Sequence, residues 1–317
     1  MRIGFLGKGG SGKSTISSSY IQYVAQQGQH VLAIDADVNV HLQRALRLEG
    51  EPTAIGDLFS DISSYLRGSR TDIGEQPMVA TTPPSVHSTF ITPHANDSFV
   101  KKYALQEGNV SLLSVGTYTS DDVGHTCYHG KLNTLEMIYH HMLDNDEDIV
   151  VADATAGIDN LGTSLYFAYD INIFVVEPTQ KSVGVFLNFY EEAKKLDLTV
   201  RVVVNKMEEG DEEFIAKHIP EELILGSVGR SRHIRRFEQG ESEALTDFIA
   251  EYNNVFSSIH GFIESTKKDW PAYYERLITT HIQNSREWWN DYYGHPIDTQ
   301  KDPNFSYEIV IQQRNNA

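Results

Sequence analysis

Close to the start of the chain, Gly7-Lys8-Gly9-Gly10-Ser11-Gly12-Lys13-Ser14-Thr15 brings glycines, lysines and hydroxyls together at a spacing suited to a chain of phosphates. A phosphate chain carries several negative charges, and a loop opening onto a helix N-terminus meets them with backbone N–H groups. Glycine permits that close approach. Gly7, Gly12, Lys13 and Ser14 fit G-x-x-x-x-G-K-[ST]. In that pattern the loop amides, here those of Gly9, Gly10, Ser11 and Gly12, surround the phosphates, Lys13 reaches the β and γ oxygens and the Ser14 hydroxyl holds Mg²⁺. Thr15 is then placed for the α-phosphate. The apolar run Ile3 to Leu6 precedes the loop and a helical stretch from Ser14 to about Gln27 follows, giving strand, loop, helix. A turn that merely joined strand to helix would not need Lys-Ser after its last glycine.

A second phosphate-linked element is predicted at Asp153-Ala154-Thr155-Ala156-Gly157, after the apolar run Ile149 to Ala152. An aspartate ending a buried strand beside a phosphate loop is placed to support Mg²⁺, so Ser14 and Asp153 are the predicted Mg²⁺ residues. Gly157 can offer its N–H to a γ-phosphate and move when that phosphate leaves.

The additional lysine, Lys8, gives the sequence GKGGSGKST, which resembles the deviant Walker A loop. The ATPase group with that loop includes the nitrogenase iron protein, the Min and Par ATPases and the nickel-insertion accessory ATPase of carbon monoxide dehydrogenase. The resemblance implies that Lys8 reaches the nucleotide of a partner subunit, so that ATP joins two copies face to face. Read without it, Lys8 is an exposed loop lysine. Asp37-Val38-Asn39 resembles the Asp-Pro-x stretch of the same group, with Val38 in place of the proline, and implies that Asp37 positions the attacking water. Read by itself, Asp37 caps a helix expected over Asn39 to Leu48. Asn205-Lys206 falls where related ATPases place an asparagine on the adenine. Asn205-Lys206-Met207-Glu208 also approaches the guanine-reading N-K-x-D, but the longer Glu208 would crowd a guanine edge, which favours ATP.

His125-Thr126-Cys127-Tyr128-His129 holds the single cysteine. In the carbon monoxide dehydrogenase accessory ATPase a C-x-C near this region binds metal across the dimer; this chain has C-x-H. Cys127 and His129 from two subunits would form a Cys₂His₂ set suited to Zn²⁺ and compatible with Ni²⁺, whereas a [4Fe–4S] cluster prefers four thiolates. The bland alternative, a packed cysteine beside hydrogen-bonded histidines, stands equally open. His140 and His141, on the helix expected to run from about Leu132 to Leu143, are expected as surface or packing residues.

Positioning these groups requires strands and helices in alternation. Buried strands are predicted at His30 to Ile34, Val110 to Val115, Ile149 to Ala152, Ile171 to Glu177, Val200 to Val204 and Leu223 to Val228, with helices between them. The expectation is an α/β fold: a mostly parallel sheet covered by helices on both faces, with nucleotide at the carboxyl ends of the strands. The resemblance, extended by Val175 to Ser182, covers residues 1–240 as a P-loop ATPase domain. Residues 49–110, with a proline-rich Pro77 to Pro93, form an inserted elaboration, expected as a lid or docking surface over the active face. Residues 241–317 are expected as a helical extension packed on the domain, with helices Glu241 to Ser265 and Asp269 to about Trp289, the second carrying an aromatic stripe.

Composition narrows the function classes. Lys+Arg 26 against Asp+Glu 44 gives a formal net charge of −18, which repels nucleic acid and anionic lipid unless a local basic patch intervenes. Arg230 to Arg236 is the conspicuous basic cluster, and it is short. One cysteine and no membrane-length apolar run lead us to expect a cytoplasmic protein without a disulfide framework. Together these features imply a Mg·ATP-dependent ATPase that homodimerises on ATP and acts on a client protein, with metalloenzyme maturation or nickel insertion as the leading role. The alternatives are a Par- or Min-like positioning ATPase and a small-molecule kinase.

Overall fold

The computed structural model describes residues 1–118, 128–155, 162–241 and 243–315. Strand β1 (Arg2–Gly7) passes through the glycine loop into α1 (Lys13–Gln26), followed by β2 (Val31–Asp35) and a short α2 (Leu42–Leu46). That helix starts later than expected because Val40 takes a positive φ of 46°, closing a turn in which its N–H donates to the Asp37 carbonyl at 3.1 Å. Next come α3 (Phe59–Arg67), α4 (Ser98–Tyr103), β3 (Leu105–Glu107) and β4 (Val110–Ser114). The remaining alternation is α5 (Tyr128–His140), β5 (Ile149–Asp153), α6 (Leu165–Ala168), β6 (Ile171–Val176), α7 (Gln180–Lys195), β7 (Val200–Met207), α8 (Asp211–His218), β8 (Ile224–Gly229) and α9 (Arg232–Glu238).

The strands make one 8-stranded sheet in the order β3-β4-β2-β5-β1-β6-β7-β8. Only the β3–β4 pair is antiparallel. Strand residues alternate between two apolar layers, as the two-residue period requires. Ile3, Phe5, Ala33 and Val151 pack with Ile16 and Tyr20 of α1. Leu6, Leu32, Ile34 and Val150 pack on the opposite face with α5 and α7. Both faces are therefore dry, which explains the nearly continuous apolar runs of the central strands. In register, Asp153 stands beside Asp35 on one side and Phe5 on the other, so the ends of β5, β2 and β1 meet at the glycine loop.

The C-terminal part differs from expectation in two places. The helix expected over 241–265 is two helices, α10 (Ala244–Glu251) and α11 (Asn253–Ser265), broken at Tyr252. The Tyr252 hydroxyl accepts from Gly229 N–H at 3.2 Å, tying the break to the end of β8. The last long helix, α12 (Trp270–Asn284), runs into a π-helical turn (Ser285–Trp289), then α13 (Asn290–Tyr293) and α14 (Tyr307–Asn315). Trp270, Tyr273 and Leu277 are buried, so the first half of the aromatic stripe is core, whereas Trp288 is exposed.

The elaboration is pinned to the segment between α13 and α14 rather than lying open as a lid. Thr82 Oγ1 donates to Gln300 Oε1 at 3.1 Å, Ser85 Oγ donates to Asp302 at 2.8 Å, and Phe90 stacks on Phe305 at 5.9 Å. The hydroxyls of this Ser/Thr/Pro-rich stretch supply cross-links that its lack of periodicity conceals. His140 and His141 are both fully buried, which removes the surface reading for them.

Candidate active site

The glycine loop is shaped by contacts that exclude a side chain. A Cβ on Gly7 would lie 2.5 Å from Ser11 Oγ and 2.8 Å from the Val175 carbonyl. Gly12 has φ +89°, and a Cβ there would lie 2.1 Å from Asn205 Nδ2. Both positions therefore need glycine, one for space and one for backbone sign as well.

Lys13 begins α1 and is 6% exposed. Its ammonium donates to Asp153 Oδ1 at 2.6 Å and pairs with Asp37 Oδ2 at 3.1 Å. Burial works to lower its pKa, but Asp153 and Asp37 outweigh it and hold the ammonium above the ordinary lysine value. Burial pushes Asp37 upward, and Lys13 with Asn39 brings it below the usual carboxylate range. Asn39 N and Nδ2 donate to Asp37 Oδ1 at 3.0 and 2.8 Å, which fixes this carboxylate in rotation. Asp35, not singled out from the sequence, is fully buried and pushed up to about 7 by burial and then by Asp153. The site thus gathers three carboxylates around one buried lysine.

A second lysine cluster sits on the other side of the loop. Lys206 Nζ donates to the Gly10 carbonyl at 2.5 Å and to Glu177 Oε1 at 2.6 Å. Lys206 holds φ 61°, an unusual conformation for a long side chain. Lys8 Nζ donates to the Gly9 carbonyl at 3.0 Å and lies 4.0 Å from Glu177. Glu177 therefore meets both lysines, although the sequence marked it only as the end of a predicted strand within the Val175 to Ser182 resemblance. Asn205 is committed to the loop: Nδ2 donates to the Ser11 carbonyl at 2.8 Å, and Oδ1 accepts from Lys206 N–H at 2.9 Å. The structure brings Asn205 to the site, but with its amide on the loop backbone.

Lys8, Gly9, Gly10, Gly12, Lys13, Ser14, Thr15, Asp37, Asn205 and Lys206 share a cavity of about 550 Å³. Its far wall is Gly229 to Ser231 with Ile234, Arg235 and Glu238 of α9. The short basic cluster Arg230 to Arg236 thus contributes Arg230 and Arg235 to this wall. Sequence reasoning missed that wall because β8 brings it back to the loop from more than half the chain away. Two predicted residues, Cys127 and Gly157, lie outside the described residues. His129 lies on α5, and among the described residues no group of three or more His, Cys, Asp or Glu could hold a metal ion.

The family model described as the CobQ/CobB/MinD/ParA nucleotide binding domain, CbiA, matches residues 5–243. The chain belongs to this family. It is an ATP-binding ATPase of the MinD/ParA type. An uncharacterized ATP-binding protein of Methanocaldococcus jannaschii is 27% identical over 237 residues, covering 74% of this chain and 90% of that one. The carbon monoxide dehydrogenase accessory protein CooC of Rhodospirillum rubrum is 27% identical over 242 residues, covering 75% of this chain and 87% of CooC. The MinC:MinD cell division protein complex of Aquifex aeolicus aligns with a TM-score of 0.54 at 19% identity, over 84% of this chain and 98% of the matched chain. A ParA family ATPase of Chlorobium tepidum gives 0.53 at 14%, over 84% and 99%. At these identities the structural likeness speaks to the fold alone.

For a MinD/ParA-type nucleotide domain, the cavity has the required chemistry at its two ends. The glycine cradle with Lys13 forms one end, and Gly229 to Ser231 with Ile234, Arg235 and Glu238 forms the other. Asp153 Oδ2 is buried without a hydrogen-bond partner, beside the loop that carries the Ser14 hydroxyl. An orphaned carboxylate oxygen there fits a cation such as Mg²⁺. The family match ends at residue 243, so the helices from α10 onward lie outside it. No helix among the described residues is long and apolar enough to cross a membrane.

Proposed function

We propose that the protein is a Mg·ATP-driven, dimerising nucleotide switch that serves metalloenzyme maturation. The observation that carries this reading is Lys13, buried between Asp37 and Asp153 at the mouth of a glycine cradle. Without phosphates its charge is balanced by two carboxylates. When Lys13 turns to the β and γ oxygens, Asp37 Oδ2 is released while Asn39 still holds Oδ1. Asp37 is then a fixed acceptor for the attacking water, and Asp153 is freed to support the cation with Ser14. Mg²⁺ held there would neutralise charge developing on the transferred phosphoryl. Gly157 is assigned to sensing the γ-phosphate, and Lys206 with Asn205 to shaping the loop and flanking the base. Residues 1–240 form the ATPase domain in this reading, with 49–110 inserted and 241–317 as its extension.

Lys8 is assigned to the nucleotide of a second copy. Its hold within its own protomer is one hydrogen bond to the loop at 3.0 Å and a 4.0 Å ion pair to Glu177, a weak restraint for a partly exposed lysine. Lys8→Ala is expected to bind ATP as a monomer but to lose ATP-dependent dimerisation, with turnover down on the order of 10²-fold or more. Sedimentation with a non-hydrolysable analogue reads this directly; a wild-type dimer in the variant removes the trans role.

The maturation role is supported by the relative named as a carbon monoxide dehydrogenase accessory protein and by Cys127 and His129 in C-x-H spacing. The expected result is one Zn²⁺ or Ni²⁺ per ATP-bound dimer by elemental analysis, lost in Cys127→Ala. Stoichiometric metal that persists in that variant would sink the assignment, as would none in the wild type. The rival output, binding DNA or a membrane, is disfavoured by the net charge of −18 and by α14, whose Tyr307 and Val310 are buried in the fold. ATP-dependent co-sedimentation with DNA or anionic liposomes would favour the rival.

A further inference from the structure

A second cavity, of about 490 Å³, lies between α5, the segment Gly162 to Ser164, and the C-terminal helices. Its lining includes Glu136, Ser164, Tyr166, Gln283, Trp288 and Trp289. Glu136 is 3% exposed. Its hydrogen bonds form a directed chain. Ser164 Oγ donates to Glu136 Oε2 at 2.5 Å, which leaves the Ser164 oxygen to accept from His140 Nε2 at 3.1 Å. His140 Nδ1 then accepts from the Tyr273 hydroxyl at 2.7 Å. Every proton in this chain points toward Glu136, an arrangement suited to an anionic carboxylate as the terminal acceptor.

That carboxylate has no cation against it among the described residues. Burial raises its pKa to about 7, Ser164 alone opposes the rise, and no lysine or arginine contributes. The segments outside the described residues add none: 119–127 reads TSDDVGHTC and 156–161 reads AGIDNL. His129, His140, Tyr166 and Tyr169 are the titratable neighbours, and burial keeps His140 well below its ordinary value and hence neutral. A buried carboxylate without a counter-charge is costly to keep ionised unless something cationic visits it.

The rest of the lining suits such a visitor. Trp288 is 68% exposed, an unusual setting for tryptophan, and both tryptophans sit in the π-helical turn Ser285–Trp289. Such turns are rare and recur at functional sites, where they re-aim side chains. Aromatic faces beside a carboxylate are the recognised surroundings of ammonium and guanidinium groups.

We propose that this cavity binds an ammonium or guanidinium group, with Glu136 as counter-ion and Trp288, Trp289 and Tyr166 as its aromatic walls. The cation is either a free polyamine or a lysine or arginine side chain of a protein partner. The site goes beyond the nucleotide reading and does not depend on it, because no group assigned to ATP lines it.

Calorimetric titration of the full chain tests it with putrescine, with Nα-acetyl-lysine methylamide, and with butane-1,4-diol as the uncharged analogue. Saturable binding of at least one amine and none of the diol is expected, weakened at least about tenfold in Glu136→Gln. Putrescine alone identifies a free polyamine, and the lysine amide identifies a side chain. Trp288→Ala, at an exposed position, should weaken the same amine and guards against misfolding of Glu136→Gln; ATP binding should persist in both. No saturation by either amine, equal binding of the diol, or undiminished binding in both variants overturns the proposal.

Discussion

Replacing Lys13 with alanine is expected to reduce ATP turnover by on the order of 10³-fold or more, because phosphoryl transfer depends on positioned charge and little else. Lys13 is the buried cation of the site, and its ammonium lies 2.6 Å from Asp153 and 3.1 Å from Asp37. The substitution has a second consequence. It leaves Asp37 and Asp153 facing each other beside Asp35 without a buried counter-charge, so nucleotide phosphates would enter a negative pocket. Binding as well as turnover should weaken. Lys13→Arg separates the two effects: it keeps the charge and should preserve the fold, yet its planar fork cannot reproduce a point contact, so turnover should still fall. Steady-state phosphate release and equilibrium nucleotide binding measure both. Wild-type hydrolysis in Lys13→Ala would falsify the assignment of this site.

The second large effect concerns stability. Asp144 is fully buried and is met by Arg2 at 2.8 Å, Lys268 at 2.7 Å and the N-terminal ammonium at 3.5 Å. Arg2 is also fully buried, with Tyr139, Trp270 and Tyr273 rings 5.1 to 5.4 Å from its guanidinium. Asp144→Asn should destabilise the protein by roughly 3–5 kcal/mol, since it strands buried cations rather than merely deleting an attraction. Burial pushes the Asp144 carboxyl upward, and Arg2 and Lys268 overcome that and hold it far below the usual range. A depressed acid contributes stability above its unfolded pKa of about 3.9 and loses it as pH falls toward the folded value. The gap between wild type and variant should therefore be full at neutral pH and shrink below about pH 4. Replacing Arg2 by Met together with Asp144 by Leu should recover part of the loss, because Lys268 keeps Asp170 at 2.7 Å. Chemical denaturation at several pH values provides the comparison.

The readable parts of the chain were those in which chemistry is local. The glycine loop, α1, the parallel strands and the aspartate ending β5 follow from short-range spacing and apolar runs, Asp37 follows from the resemblance carried by Asp37-Val38-Asn39, and the structure brings Lys13, Asp37 and Asp153 together. Element ends were less legible. Val40 at positive φ and the break at Tyr252 shortened or divided helices that periodicity alone would extend. The proline-rich elaboration carried no periodic signal, and its hydroxyls found partners more than two hundred residues away.

By itself, then, the sequence determined the phosphate cradle and the sheet that presents it, because a glycine's backbone freedom and a strand's two-sided burial are properties of consecutive residues. Tertiary structure alone decided that Glu177 anchors Lys206 beside Lys8, that Arg235 borders the nucleotide cavity and that Glu136 ends a proton-donor chain. Those are pairings of charges and hydrogen bonds between distant segments, and their energies depend on burial, which no local spacing records.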